Sequence, residues 1–507
     1  MIDQQHNRAA DPGAVLFYGL MTLLVFAPLF RAGYRPLPLL VMELIALALL
    51  AWRFCHPPAG GRPLSWGVWL FLGLLFLAPL AQLALLPISL WAELPGRALY
   101  MEALSKAGVT DADFAWRSLS LIPAATESAT LALLPPLAVF LAAVNLSSRQ
   151  LSTLVLVFLG VAAGEALLGL IQYGDGPNSF FRFGNFLMGD SASGTYINRN
   201  HLAGLLEMAL PVALALLAAT VGQGRPRHSG KHHRRKTTIR QWLARFSVAR
   251  INQAAVFAAL ALAILLGLIF TRSRSGVSLA MLGILLSTAM FANRLGGRNV
   301  YGWMGVFTAA GIGLASLIGL APVWTRFTYQ DPVADGRWKI FDATTQAIGE
   351  FFPLGSGAGT FEEVLRRFHP LDFPTVTLNH AHNDYLEWIL ECGLIAGLLI
   401  AVWLALYARQ WGRVWKRGEW TTFRFVQAGA GIGLGLMMLH SLVDFNLRIP
   451  ANAVFAALLA AAFFHRAFEE RRPSRLRSDD QDQEPPPLGR VAKPEIPPEN
   501  QINPFAL

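Results

Sequence analysis

The segment Asn379-His380-Ala381-His382-Asn383-Asp384-Tyr385-Leu386-Glu387 brings two histidines, amides, acids and a phenol into nine residues, and Glu391 follows one helical turn further on. A neutral imidazole accepts a proton near pH 7, so this cluster suits acid–base work or binding of a polar substrate. A metal site needs three or four converging ligands, and His380 and His382 supply only part of one. A structural hydrogen-bonding cluster is the third reading; acid–base chemistry or substrate binding is favoured. Arg272 and Arg274 occupy a tight turn, Phe270-Thr271-Arg272-Ser273-Arg274-Ser275-Gly276. Guanidinium groups bind phosphate as two-pronged donors that keep their charge. Lipid phosphate is their ordinary partner and a pyrophosphate substrate the specific one. Arg337 is a third such cation. Gly355, Gly357 and Gly359 form a glycine-rich turn, but no Lys-Ser/Thr follows, so it is not a phosphate-binding P-loop.

The elements that must hold these groups are apolar. Of 507 residues, 54% are apolar and only 15% are charged, against roughly 25% charged in soluble proteins. Lipid can solvate such a chain, and water cannot. At about 20 apolar residues per crossing, the chain reads as an all-α polytopic membrane protein. Twelve spans are expected: Ala14 to Phe30, Leu37 to Trp52, Leu64 to Leu86, Ser128 to Val144, Leu151 to Leu170, Leu202 to Val221, Ala254 to Phe270, Val277 to Phe291, Val300 to Ala321, Tyr385 to Ala408, Val426 to Val443 and Ala451 to Phe464. The runs are continuous rather than alternating, which argues against a β-barrel. The first is read as a retained helix, not a signal peptide.

The net charge of +10 is explained by position. Basic residues concentrate in alternate connections, above all Arg225 to Arg250, which fixes both termini as cytoplasmic by the positive-inside rule; Arg31 and Arg35 run against it. The Lys231 to Lys236 cluster is thus a topology determinant rather than a nucleic-acid patch. The transmembrane domain covers 1–465. Pro87 to Glu127 is an outward loop, and 322–384, between spans nine and ten, is a long periplasmic loop. Within it Trp338, Phe341, Ile348 and Phe352, with Thr345 in the gap, predict an amphipathic helix on the membrane or the bundle. The Pro-rich tail, 466–507, reads as disordered and cytoplasmic. Cys55 and Cys392 are too few for a disulfide framework and are expected to be small buried hydrophobes.

In this topology the polar clusters all lie on one face, including Asn198-Arg199-Asn200-His201 before span six and the His440 to Pro450 stretch after span eleven. The His382-Asn383-Asp384-Tyr385-Leu386 stretch with Glu391 and Gly393, the Ser273-Arg274 turn and the Arg337 loop resemble the O-antigen ligase and Wzy-type polymerase superfamily, over roughly Leu151 to Phe464. The resemblance implies a metal-independent, membrane-embedded glycosyltransferase of the GT-C type in the bacterial inner membrane, with no cofactor. It implies a polyprenyl-diphosphate-linked glycan as donor and a glycan, lipid or protein hydroxyl as acceptor, on the periplasmic face among membrane lipids. It puts the phosphate-binding arginines at Arg274 and Arg337, with Arg272 an additional candidate, and the essential histidine at His382. Asn383, Tyr385 and His380 are the remaining candidate substrate contacts. The rival expectation is a transporter of an inorganic anion such as bicarbonate. Transporters place their sites near the midplane, often within repeated halves, and the sequence shows neither.

Overall fold

The computed structural model describes residues 12–57, 64–108, 115–185, 189–222, 248–295, 336–370, 377–415 and 420–466, with the isolated helical positions Gly305, Ala309 and Gly313. The helices are α1 Pro12–Leu29, α2 Pro36–Cys55, α3 Trp66–Ala81, α4 Ile88–Ala92, α5 Ala98–Lys106, α6 Pro123–Leu131, α7 Leu134–Ala143, α8 Ser148–Asp175, α9 Arg199–Gly222, α10 Val248–Phe270, α11 Arg274–Leu295, α12 Arg337–Phe351, α13 Phe361–Leu365, α14 Asp384–Val414, α15 Thr422–His440 and α16 Pro450–Phe464. Among the described residues, eight segments are long and apolar enough to cross a membrane: α2, α6 with α7, α8, α9, α10, α11, α14 and α15. Helices α1, α3 and α16 are shorter and apolar. The protein is therefore a multi-pass helical membrane protein. The expected ninth span, apart from the three isolated positions, and the tail beyond Arg466 lie outside the described residues.

Helix α9 is the axis of the bundle. It is buried along nearly its whole length and packs against α15, α10 and α11. Gly429 and Gly433 let α15 close on α9, because a Cβ at either would press on the backbone around Met208 to Val212. Small residues at helix crossings are how bundles pack tightly in lipid, where apolar burial alone gives no preference for one helix over an acyl chain. On the outer helices Leu37, Leu44, Leu47, Leu394 and Leu398 remain exposed. That surface would be unfavourable in water and is satisfied by hydrocarbon.

Several expectations need correcting. Span three was expected to run to Leu86, but α3 ends at Ala81, and Leu85–Pro87 pairs with Trp116–Ser118 as a short antiparallel ribbon. The extended pairing takes Leu85–Pro87 out of the helix. Cys55 is exposed at the end of α2 rather than buried. The amphipathic helix exists as α12, but its buried face is Ile340, Ala343, Thr344, Ala347 and Phe351, while Trp338 and Phe352 are exposed. Helix α12 packs against α14, and its buried face combines the small Ala343 and Ala347 with the aromatic Phe351. Ile340, Phe351, Phe361, Leu365 and Leu390 complete this small core beneath the loop.

Candidate functional site

The site is built around the start of α14 and the connection from α15 to α16. Asn383 caps α14: its side-chain oxygen accepts the backbone N–H of Tyr385 and Leu386 at 3.0 and 3.1 Å. Its amide donates to the Leu442 carbonyl. Asp384 accepts the Ser441 hydroxyl at 2.7 Å and the Leu447 N–H at 3.1 Å. The Tyr385 hydroxyl donates to the Met438 carbonyl at 2.8 Å. Asn383 and Tyr385, expected as substrate contacts, thus make bonds that tie α14 to the 441–449 connection and to the last turn of α15.

That connection carries Asp444, which is fully buried. Its Oδ1 lies 3.2 Å from His382 Nδ1 and 3.7 Å from His201 Nε2. Its Oδ2 accepts from the Asn200 amide at 2.8 Å and faces Arg337 Nη2 at 3.4 Å. Arg337 also donates to the Val443 carbonyl at 2.6 Å. Burial alone would raise the Asp444 pKa, but His201, His382 and the charge of Arg337 hold it well below the usual carboxylate range. His382 and Arg337, 45 positions apart by their numbers, therefore meet on one carboxylate. A carboxylate at Nδ1 fixes the proton there and leaves Nε2 as the basic atom of neutral His382. Among the described residues His382 Nε2 has no hydrogen-bond partner. His382 also adopts φ +52°, a left-handed conformation uncommon for a side chain of this kind and often found at functional sites.

His380 is engaged at both ring nitrogens. Nδ1 lies 2.9 Å from Glu387 and Nε2 lies 2.7 Å from the Tyr34 hydroxyl. Burial, then the charge of Glu387, raises the Tyr34 pKa, so the phenol stays a donor. Arg448 pairs with Glu387 at 3.2 Å and also with Glu391. Burial alone would lower its pKa, but the two carboxylates raise it, and Arg448 remains charged. The ring of Phe445 joins three imidazoles: His380 stacks on it at 4.1 Å, and His201 and His382 meet it edge-on at 4.5 and 5.0 Å.

The glycine-rich turn has a structural task. Helix α14 breaks at Gly393, with φ 58° and ψ −136°. The carbonyls freed at Leu390 and Glu391 accept Ser356 N–H and Gly357 N–H, both at 3.0 Å, and Gln82 donates to Glu391 O at 2.8 Å. A Cβ on Gly355 would strike the Glu391 carbonyl, so only glycine allows this approach.

The remaining cations lie on the α10–α11 turn. Arg272 reaches Asp190 at 3.4 Å and the Tyr173 hydroxyl at 3.2 Å. Arg199, beside Asn200, reaches the same Asp190 at 3.4 Å. Arg274 opens α11 and is partly buried. Its neighbour Ser275 lies 2.9 Å from His440 Nε2. Among the described residues no group of three His, Cys, Asp or Glu could hold a metal ion.

Asp444, Asn200, His201, Phe445 and Arg448 were not among the expected site residues. The sequence did signal them, as polar runs at the ends of spans six and eleven, but a run alone does not say which member faces the site.

A helical membrane bundle with two histidines and one arginine gathered on a buried carboxylate at one set of helix ends defines a class of membrane protein with a polar site at its surface layer. Residues 258–401 match the family model described as O-antigen ligase, and over that stretch this supports the resemblance to the O-antigen ligase and Wzy-type superfamily. The matched stretch holds Arg272, Arg274, Arg337, His380 and His382, whereas Asp444 lies beyond it. It supports a ligase- or polymerase-like role in membrane glycan processing and gives no support to the anion-transport alternative. A search of curated proteins finds no match.

Proposed function

We propose that this protein transfers a polyprenyl-diphosphate-linked glycan to a hydroxyl acceptor at the periplasmic face of the bacterial inner membrane, in a bundle of twelve spans with both termini cytoplasmic. The acceptor oxygen attacks the anomeric carbon. The bond from that carbon to the diphosphate oxygen breaks, and its electron pair leaves with the diphosphate. The acceptor proton passes to His382 Nε2. Arg274 and Arg337 neutralise the charge growing on the leaving group, so the scheme calls on no metal or organic cofactor.

The observation that carries this reading is the pairing of His382 Nδ1 with Asp444 at 3.2 Å, with Arg337 on the second oxygen of the same carboxylate. It supports a base whose reactive nitrogen is set beside a phosphate-binding cation. The test is donor binding and product formation by purified, folded variants given a lipid-linked glycan. His382→Ala should stop transfer, by about 10²–10⁴-fold, while donor binding is kept. Arg274→Ala and Arg337→Ala should weaken donor binding as well as transfer. The Lys variants should recover only part, because a point charge replaces a fork. His380→Ala, whose two ring nitrogens are already engaged, should lose less than His382→Ala. Normal transfer by all the Ala variants would refute the site.

A further inference from the structure

Three helices meet at a further histidine–carboxylate pair that the scheme above does not use. His440, the last residue of α15, places Nδ1 3.0 Å from both carboxylate oxygens of Glu207 on α9. Its Nε2 lies 2.9 Å from Ser275 Oγ on α11. His440 and Glu207 are fully buried, whereas Ser275 is partly exposed. Ser273 Oγ, 3.3 Å away, is the other side-chain neighbour of the Ser275 hydroxyl. The pair is therefore a buried support with one polar atom at its open end. That end adjoins Arg274 in the chain, and the Asp444 N–H donates to the His440 carbonyl at 3.0 Å, which ties the pair to the His382 site.

The chemistry of the end atom follows from the proton count. An ionised Glu207 keeps a proton on Nδ1 in either state of the ring. With a neutral imidazole, Nε2 accepts the Ser275 O–H and the oxygen lone pairs face outward. With an imidazolium balanced by Glu207, Nε2–H donates to Ser275 Oγ, and the Ser275 proton turns outward as a donor. A donor beside an arginine is complementary to an anionic oxygen.

We propose that Ser275 is a phosphate-binding hydroxyl held as an outward donor by the His440–Glu207 pair, and that it binds the same diphosphate as Arg274. This rests on the diphosphate reading given above. Ser275 touches the ligand; His440 and Glu207 are positioning residues that act through it.

The experiment measures inorganic pyrophosphate binding by calorimetry on the full-length protein in lipid nanodiscs, with a thermal midpoint for every variant. Ser275→Ala should weaken binding about tenfold, the scale of one hydrogen bond to a charged group. Ser275→Thr, which keeps a hydroxyl, should restore most of it. Glu207→Gln should weaken binding in the wild-type background and add nothing to Ser275→Ala, because it acts through that hydroxyl. Should Glu207→Gln fail to fold, Glu207→Asp, whose shorter side chain draws back from Nδ1, replaces it in the cycle. Binding by Ser275→Ala as tight as wild type, with Arg274→Ala impaired, overturns the Ser275 assignment alone. Undiminished binding by both variants overturns the diphosphate reading with it. An equal loss from the Glu207 change in both backgrounds makes the pair merely structural and overturns the relay.

Discussion

Asp444 serves His382, Asn200 and Arg337 at once, so its charge governs the proton on His382 and the position of the cation. Its pKa in the folded protein lies well below the ordinary carboxylate value of about 3.9. A depressed carboxylate contributes stability that is fully present above the unfolded pKa and is lost as pH falls through the folded pKa. Asp444 therefore stays ionised from neutral pH down past pH 4, and any change in transfer between about pH 5 and 8 must come from another group. Asp444→Asn keeps the shape and removes the charge. It should lower transfer by about 10²-fold or more, since the tautomer of His382 is no longer fixed. It should also cost about 1–3 kcal/mol in stability, for partners left without their acceptor. The thermal midpoint of the wild type should fall in acid below pH 4, and that of Asp444→Asn should fall less. A midpoint with the same acid dependence in both proteins would show that Asp444 is not the group being protonated.

At the scale of elements, the broken helix α14 decides where the 353–361 turn can sit. Gly393 has φ 58°, and a Cβ there would strike the Pro353 carbonyl, while the Leu394 N–H donates to that same carbonyl at 2.9 Å. Gly393→Ala should therefore lower the thermal midpoint by the strain of a left-handed alanine plus the displaced turn, about 2–4 kcal/mol in all. Gly397→Ala, in the same helix with open space around its Cα, is the matched comparison and should change little. Equal midpoints for the two variants would mean that the break is not held by this contact. The same element shows what the sequence could and could not disclose. Its apolar run and its polar start were legible, because hydrophobic spacing and charged residues are local signals. The break was not, because Gly393 is needed only where another segment comes close. Likewise the aromatic spacing of α12 revealed a helix but pointed to the wrong face, since packing selected Ala343 and Ala347 over Trp338. His382, Arg274 and Arg337 stood out through residue type and resemblance. Asp444 and Phe445 acquire their partners only when two chain segments far apart in sequence are brought together.

For the whole molecule, orientation can be tested through a native residue. Tyr34, two residues before α2 begins, bonds His380, so that end of α2 lies at the candidate site. Helix α2 has 20 residues, which spans about 30 Å. Its other end carries Arg53 and the exposed thiol of Cys55. The length of the helix, enough to cross the hydrocarbon core, puts Cys55 on the opposite side of the membrane from the site, and so on the cytoplasmic side if the site is periplasmic. A membrane-impermeant maleimide should then leave Cys55 unlabelled in intact spheroplasts and label it once the membrane is permeabilised. The measurement is made in Cys392→Ser protein, so that Cys55 is the single thiol. A cysteine introduced at Glu93, in the connection that begins with the ribbon strand Leu85–Pro87, should show the opposite pattern, because Leu121 and Thr126, just beyond the ribbon, donate to the Ser356 and Ala358 carbonyls of the site loop. Labelling of Cys55 in intact cells together with protection at position 93 would invert the molecule and place the histidine site in the cytoplasm. In that case a donor presented at the periplasmic face could not reach His382, and the proposed reaction would fail on geometry alone, whatever the local chemistry of Asp444.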